Sequence, residues 1–181
     1  MLMLTMTTER LLIREYKESD FDELKALLSD PETMRFWPQP FDDDQVHSWL
    51  ERSIRNYRDL GYGRWGVFLK ANRKFVGDCG FLRYKIIDRF ENDLGYIIHH
   101  HYWHQGYGYE AAKACLEYGF GTLQFDSICA NMAHDHLASR KVAEKLEMKR
   151  EAQFTNPRNR NLLTYVYRIS RNEASGKEEL S

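Results

Sequence analysis

The stretch Trp103-His104-Gln105-Gly106-Tyr107-Gly108 constrains the fold more than any other part of this 181-residue chain. It follows a strand-like apolar run, Leu94 to Ile98, and opens a segment rich in alanine. Two glycines one residue apart let a backbone turn so tightly that successive N–H groups point into one cavity. Continued into the free N–H groups and positive dipole end of a helix, such a nest binds a phosphate or pyrophosphate without any lysine. Gly-x-Gly is also common in plain turns, so the flanking sequence decides. Reading on from Gly108, the residues Ala111, Ala112, Cys115, Leu116 and Gly119 fall at the i+3, i+4, i+7, i+8 and i+11 positions of a helix. That apolar face is built of small residues and can lie close against a sheet. Strand, glycine turn and helix stand in the order that an anion-binding helix N-terminus requires, and the implied ligand is a phosphorylated cofactor.

Length predicts a single domain over residues 1–170, with residues 171–181 read as a polar, disordered tail. The 26 basic and 27 acidic residues nearly cancel, for a formal net charge of −1, which removes any global electrostatic case for nucleic acid. The opening Met1-Leu2-Met3-Leu4-Thr5-Met6 has neither a basic leader nor adequate apolar length, so neither a signal peptide nor a membrane span is expected. Cys79, Cys115 and Cys129 lack Cys-x-x-Cys spacing and read as reduced core thiols of a cytoplasmic protein.

Leu11-Leu12-Ile13 reads as a first strand. Ser19 with Asp22 offers a capping-box-like start to a helix carrying Phe21, Leu24, Leu27 and Leu28, ended by Asp30-Pro31. The acidic run Asp42-Asp43-Asp44 suits the N-terminus of a second helix with Val46, Trp49, Leu50, Ser53 and Tyr57 on one face, closed by Gly61 and Gly63. Three strands are expected over 64–70, 74–84 and 93–98, the first two close enough to form a hairpin. After the glycine-opened helix come a strand over 125–131, a helix over 136–146 and a last strand over 162–169. The order predicts an α/β (α+β) fold: a mixed central sheet flanked by helices, in which the helix after the glycine turn links two parallel strands.

Four stretches, taken together, resemble the GCN5-related N-acetyltransferase (GNAT) superfamily, and within it the RimJ/RimL-type branch. They are Thr8-Glu9-Arg10-Leu11-Leu12-Ile13-Arg14 with Ser29-Asp30-Pro31-Glu32; Asp93-Leu94-Gly95-Tyr96; Tyr102 through Ala111; and His136-Leu137-Ala138-Ser139 with Glu144-Lys145-Leu146. The resemblance implies a splayed pair of parallel strands that opens a groove for acetyl-coenzyme A. It further implies that His104, Gln105, Gly106, Tyr107, Gly108 and Tyr109 hold the pyrophosphate through backbone amides. Ile97 and Ile98 would bond the pantetheine arm and acetyl carbonyl through their main chain, with His99 and His136 beside the cofactor. An N–H aimed at the thioester oxygen would supply roughly 2.7–4 kcal/mol of oxyanion stabilisation. The chain departs from the family pattern at Trp103, usually Arg or Gln; at Tyr109, usually a small hydroxyl residue; at His136, usually Asn; and at Leu146-Glu147-Met148, usually Leu-Gly-Phe.

An amine must lose its proton before it attacks, and an α-amine, with a pKa of about 7.7–8, does so more readily than a lysine at about 10.4. Asp93 stands where this branch usually carries Glu and is the candidate base; its other reading is a solvated strand end. Ser139 is the candidate acid, or positioning group, for a thiolate leaving group with a pKa of about 8.5; equally, it is a small residue on a packed helix face. Phe36 and Trp37 are candidate walls of an acceptor pocket, where aromatic rings would exclude water and favour a neutral amine, or else core residues. His99, His100, His101 and His104 have no carboxylate or cysteine at ligand spacing nearby and read as loop histidines, so no metal is expected.

The expectation is therefore an acetyl-coenzyme A-dependent N-acetyltransferase. It would act on a primary amine, in a protein N-terminus or a small molecule, by direct attack in a ternary complex, and a homodimer is the usual state of such enzymes. No cysteine lies at an obvious nucleophile position, which disfavours an acetyl-enzyme. The alternative is a coenzyme A-binding regulatory module without transfer. A nucleotide-binding domain is weaker still, for want of the Lys-Ser/Thr of a P-loop or the ribose-binding acid of a Rossmann unit.

Overall fold

Two short strands, β1 (Thr5–Thr7) and β2 (Leu11–Arg14), pair antiparallel at the start of the residues that the computed structural model describes, 3–175. Helices α1 (Phe21–Leu28) and α2 (Asp43–Leu60) follow. Ser19 does not cap α1: it sits in a 3-10 turn, Glu18–Asp20, whose Asp20 carboxylate accepts the Lys17 N–H at 2.8 Å and pairs with Arg14. At α2 the capping chemistry is reciprocal. The Asp42 carboxylate accepts from Gln45 N at 2.9 Å and the Gln45 side chain accepts from Asp42 N at 3.0 Å, a box worth about 1 kcal/mol. Gly61, left-handed at φ 78°, ends the helix.

An antiparallel meander comes next, of β3 (Arg64–Leu69), β4 (Phe75–Ile86) and β5 (Arg89–Ile98). Helix α3 (Tyr107–Gly121) crosses to β6 (Ser127–Ala133), and α4 (Leu137–Lys145), β7 (Lys149–Asn156) and β8 (Leu162–Ser170) complete one mixed sheet in the order β1-β2-β3-β4-β5-β6-β8-β7. β5 and β6 are the parallel neighbours. β1 and β7 have no counterpart in the sequence reading. Both are edge strands, and the alternation in β7 sets half-buried against exposed positions, so its apolar signal is weak. Residues 171–175, read from sequence as tail, form a short helix, α5 (Arg171–Ser175), because Arg171 bonds the Phe125 carbonyl at 3.0 Å and Glu173 pairs with Lys149 at 2.7 Å. The rest of that tail, 176–181, lies outside the described residues.

The small-residue face read from sequence is the buried face of α3: Ala111, Ala112, Cys115, Leu116 and Gly119 pack with Trp65, Phe81, Leu94 and Ile128 on one side of the sheet. On the other side α1 and α2 pack Leu24, Leu27, Leu28, Val46 and Leu50 against Tyr16 and Ile97. At the closed end of the β5–β6 pair, Arg168 of β8 reaches across to clamp buried Glu91 of β5 with two hydrogen bonds, at 2.9 and 2.5 Å. Burial would raise the Glu91 pKa, but Arg168 and Arg89 outweigh it and hold the carboxylate ionised.

Candidate active site

Asp93 opposite Cys129 is the one parallel ladder pair between β5 and β6. Past it the strands part, and a cavity of about 1070 Å³ opens there. Asp93 stands where they separate. It is 8% exposed, so it is not a solvated strand end. Its Oδ1 accepts from Asn131 N at 3.1 Å and Asn131 Nδ2 at 2.7 Å, while the Tyr84 hydroxyl approaches Oδ2 at 3.5 Å. Burial pushes the Asp93 carboxyl up to about 7, against the opposing pull of Asn131 and of the Arg64 charge. A carboxyl that titrates near neutrality inside a cavity is suited to accept a proton from an amine.

The floor beside Asp93 is a buried ion pair. Arg64 Nε donates to Asp78 at 2.6 Å, and the same carboxylate accepts from Tyr16 Oη at 2.7 Å and Trp49 Nε1 at 3.2 Å, which satisfies a charge that burial would otherwise penalise. The guanidinium lies against Gly95, where any Cβ would overlap it.

Ser139 enters the cavity from the first turn of α4. Its hydroxyl donates to Tyr96 Oη at 3.2 Å, and Tyr96 Oη donates back to the Ser139 carbonyl at 2.8 Å. The tyrosine thus fixes both the serine rotamer and its strand-to-helix distance, and burial holds the phenol well above its ordinary pKa.

Phe36 and Trp37 also line the cavity. Phe36 stacks face to face on His136, ring centroids 3.8 Å apart and planes 9° apart, and its carbonyl accepts from Asn159 at 2.8 Å. His136 caps α4, its Nδ1 accepting from Ser139 N at 3.4 Å. Burial, reinforced by Arg35, lowers the imidazole to about 4. His136, expected beside the cofactor, lines the cavity wall as a neutral ring.

The glycine turn lies at the far end of β5. Gly106 is left-handed at φ 80° and occupies the N-cap of α3 without any side-chain cap, so the N–H groups of the first helical turn have no intrahelical acceptor. His104 is left-handed too, at φ 62°. Gly108 is already helical, and a Cβ there would meet only Ile98 Cγ1, at 3.6 Å; its value is open space over the amides rather than turning. Arg10 braces the turn: Nη1 donates to the Gln105 carbonyl at 2.9 Å and Nε to Glu110 at 2.7 Å. Since the peptide is planar, holding that carbonyl on Arg10 turns the Gly106 N–H the opposite way. Burial would raise Glu110, but hydrogen bonds from Thr8 and Arg10 prevail and keep it ionised. An uncapped helix start with a cation alongside fits a pyrophosphate.

One expectation for this region, a main-chain role for Ile97 toward the cofactor, needs correction. His99 N–H bonds Val76 O at 2.9 Å, and Ile97 faces Asp78 across the β4 ladder, so Ile97 spends its main chain on β4. Alternation turns only the Ile98 main chain toward the splay, and there its carbonyl already accepts the Trp103 indole N–H at 2.7 Å. The His99 side chain stacks on His100 at 4.7 Å, near Asp30. His100 Nδ1 and Asp30 are 2.7 Å apart, a carboxylate partner that spacing along the chain conceals. Asp30, His99 and His100 bring ligand-type atoms within 4.8 Å of one another, but Asp30 Oδ2 is already engaged by His100 and by Thr33 N at 2.7 Å.

Asn131, Tyr84 and Tyr96 escaped the sequence reading as site residues. Asn131 did leave a signal, since a polar residue inside the apolar run Ile128-Cys129-Ala130-Asn131-Met132-Ala133 must find buried partners.

Residues 10–149, a stretch containing the splayed strands, the glycine turn and α4, match the family profile described as the acetyltransferase (GNAT) domain. The chain belongs to that family. This GNAT enzyme is 33% identical to the Bacillus subtilis protein YkkB over 144 residues, 79% of this chain and 84% of that protein. It is 28% identical over 150 residues to YnaD of the same organism, an uncharacterized N-acetyltransferase, covering 82% and 85% of the two chains. A GNAT-family acetyltransferase from Bacillus anthracis superposes with a TM-score of 0.79 at 26% identity, over 94% of this chain and 100% of that one. RimL, a ribosomal-protein α-N-acetyltransferase solved with coenzyme A, shares the fold at 16% identity, with a TM-score of 0.78 over 95% and 100% of the chains. GNAT acetyltransferases use acetyl-coenzyme A, and the GNAT fold accounts for the mixed sheet with its β5–β6 parting.

Proposed function

We propose that this GNAT enzyme is an N-acetyltransferase of the RimJ/RimL type, working on a protein N-terminal α-amine or a small-molecule primary amine by direct attack in a ternary complex. The observation that carries this reading is Asp93, buried at the parting of β5 and β6, where burial pushes its carboxyl up to about 7. As a carboxylate, Asp93 takes a proton from the incoming ammonium and leaves a neutral amine. Acetyl-coenzyme A supplies an acyl group on a thiol leaving group. The amides at the start of α3, with Arg10 behind them, hold its pyrophosphate, and the splay-facing main chain of Ile98 lies along its arm. Ser139, set by Tyr96, hydrogen-bonds the departing sulfur. Phe36, Trp37 and neutral His136 wall the acceptor side with rings, which exclude water and favour the uncharged amine.

An acceptor screen with thiol-release detection tests the reading. Release of coenzyme A matched to acetylated amine is the expected result. Calorimetric binding of coenzyme A with no thiol release across a broad amine panel would point instead to a regulatory module.

A further inference from the structure

We infer that the acceptor cavity contains a second subsite, made by Arg52 and Arg55 of α2 and by Arg158 of the β7–β8 turn, that binds a carboxylate or phosphate carried by the same molecule whose amine reaches Asp93. The inference rests on the transferase reading of this cavity and names its substrate class.

All three arginines line the cavity, and none has a carboxylate within ion-pair distance among the described residues. That is unlike Arg10, Arg14, Arg64 and Arg168, each clamped to an acid. Arg52 and Arg55 are three residues apart on one helical face, which also presents Ser48 and Asn56 to the cavity. Like charges at that spacing repel, and the helix acid that feels Arg55, Asp59 one turn on, is already paired with Arg58 at 2.8 Å. The cavity-lining acids of α2 and its cap, Asp42 and Asp44, sit at the helix start, roughly 12 Å along the axis from Arg52 at 1.5 Å per residue.

Both walls lead back to Asp93. Arg52 is an exposed residue whose guanidinium lies 5.0 Å from the Trp49 ring centroid, and Trp49 is held by its indole N–H on Asp78, the partner of Arg64. Packing around the head group, then repulsion from Arg64, lowers the Arg52 pKa against the pull of Asp78, with Arg55 adding to the lowering. On the other wall Arg158 lies 5.9 Å from the centroid of Tyr84, whose hydroxyl touches Asp93 and Asn131. Cations flanking the base repel an ammonium, which favours the neutral amine, while attracting an anion on the same acceptor. Acidic N-terminal peptides and small amines bearing a carboxylate or phosphate share that chemistry.

The test compares matched acceptors: a tetrapeptide with acidic side chains after its free N-terminus against its amide counterpart, and a small primary amine with a carboxylate against the same amine with a carboxamide. Wild-type kcat/KM should favour the acidic member of at least one pair by about tenfold or more, mainly through KM, as loss of a charge-assisted hydrogen bond predicts. The favoured pair identifies the source of the anion. In the double variant Arg52→Gln/Arg55→Gln the ratio should fall to about one, with Arg158→Gln intermediate and coenzyme A affinity retained as the check on folding. A wild-type enzyme that turns over acidic and amide acceptors equally, or a preference that survives the double substitution, overturns the subsite while leaving the transferase reading intact. Acidic acceptors that bind the coenzyme A-saturated protein calorimetrically, in an Arg52-dependent way but without thiol release, would uphold the subsite and overturn the transferase reading.

Discussion

Asn131 gives both its backbone N–H and its side-chain amide to one oxygen of Asp93, at 3.1 and 2.7 Å, across the point where β5 and β6 part. The other oxygen is left to Tyr84 at 3.5 Å and to the cavity. The two donors steady the charged form, yet burial outweighs them and leaves the carboxyl at about 7. A base that is ionised only part of the time at neutral pH is stored at a cost in stability, and that cost is measurable.

The folded-state pKa of Asp93 lies above its ordinary 3.8, so the native state binds a proton that the unfolded chain has already lost across the interval up to about 7. Stability from this group is full below about pH 4 and declines as pH rises to about 7, by on the order of 4 kcal/mol if the whole shift is expressed. Asp93→Asn keeps the acceptor oxygen for Asn131 and removes the titration. Urea denaturation at pH 5 and pH 8 should show the wild type losing stability relative to the variant at the higher pH; an equal pH dependence would mean that Asp93 titrates normally.

The two glycines of the turn should separate cleanly. Gly106→Ala forces a side chain into φ 80° and should cost about 1 kcal/mol of stability as well as coenzyme A affinity. Gly108→Ala meets only Ile98 Cγ1 at 3.6 Å, so its melting temperature should stay near that of the wild type while the KM for acetyl-coenzyme A rises. Thermal melts alongside calorimetry distinguish the two; a Gly108→Ala protein with unchanged cofactor affinity would move the pyrophosphate elsewhere.

Arg10 should act on the cofactor through the turn. Arg10→Gln releases the Gln105 carbonyl and unpairs Glu110, and should raise the KM for acetyl-coenzyme A about tenfold while kcat changes little. Steady-state kinetics in acetyl-coenzyme A at saturating amine read this directly, and a kcat loss of equal size would place Arg10 in the chemistry.

Ser139→Ala should lower kcat by about a hundredfold if its hydroxyl protonates the departing sulfur, and Tyr96→Phe, which removes only the group that orients it, by less. The distinguishing measurement is an acetyl thioester of a more acidic thiol, which needs no proton donor. Both defects should shrink with that donor, and a defect of undiminished size would reduce Ser139 to a packing role.

What the sequence conveyed best was what local periodicity controls. The buried face of α3, the acidic N-terminus of α2, and the strands from Arg64 to Ile98 follow from side-chain spacing and turn chemistry, and the structure reproduces them within a few residues. Edge strands β1 and β7 left little signal because only one side of each is paired and little of each is buried. Pairings between residues far apart in the chain were out of reach: Phe36 on His136, Arg10 on Glu110 and Asp30 on His100 arise only when the loops fold back over the sheet. The burial of Asp93 belongs to the same class, since its run Glu91-Asn92-Asp93 looks solvated until β6 and Arg168 cover it.

The most direct measurement is the pH dependence of kcat/KM for an amine acceptor, in the wild type and in Asp93→Asn. The wild-type rate should climb tenfold per pH unit and level off near about 7, where Asp93 becomes a carboxylate, and the variant should be slow and lack that limb. An Asp93→Asn enzyme with the wild-type profile and rate would remove Asp93 as the base.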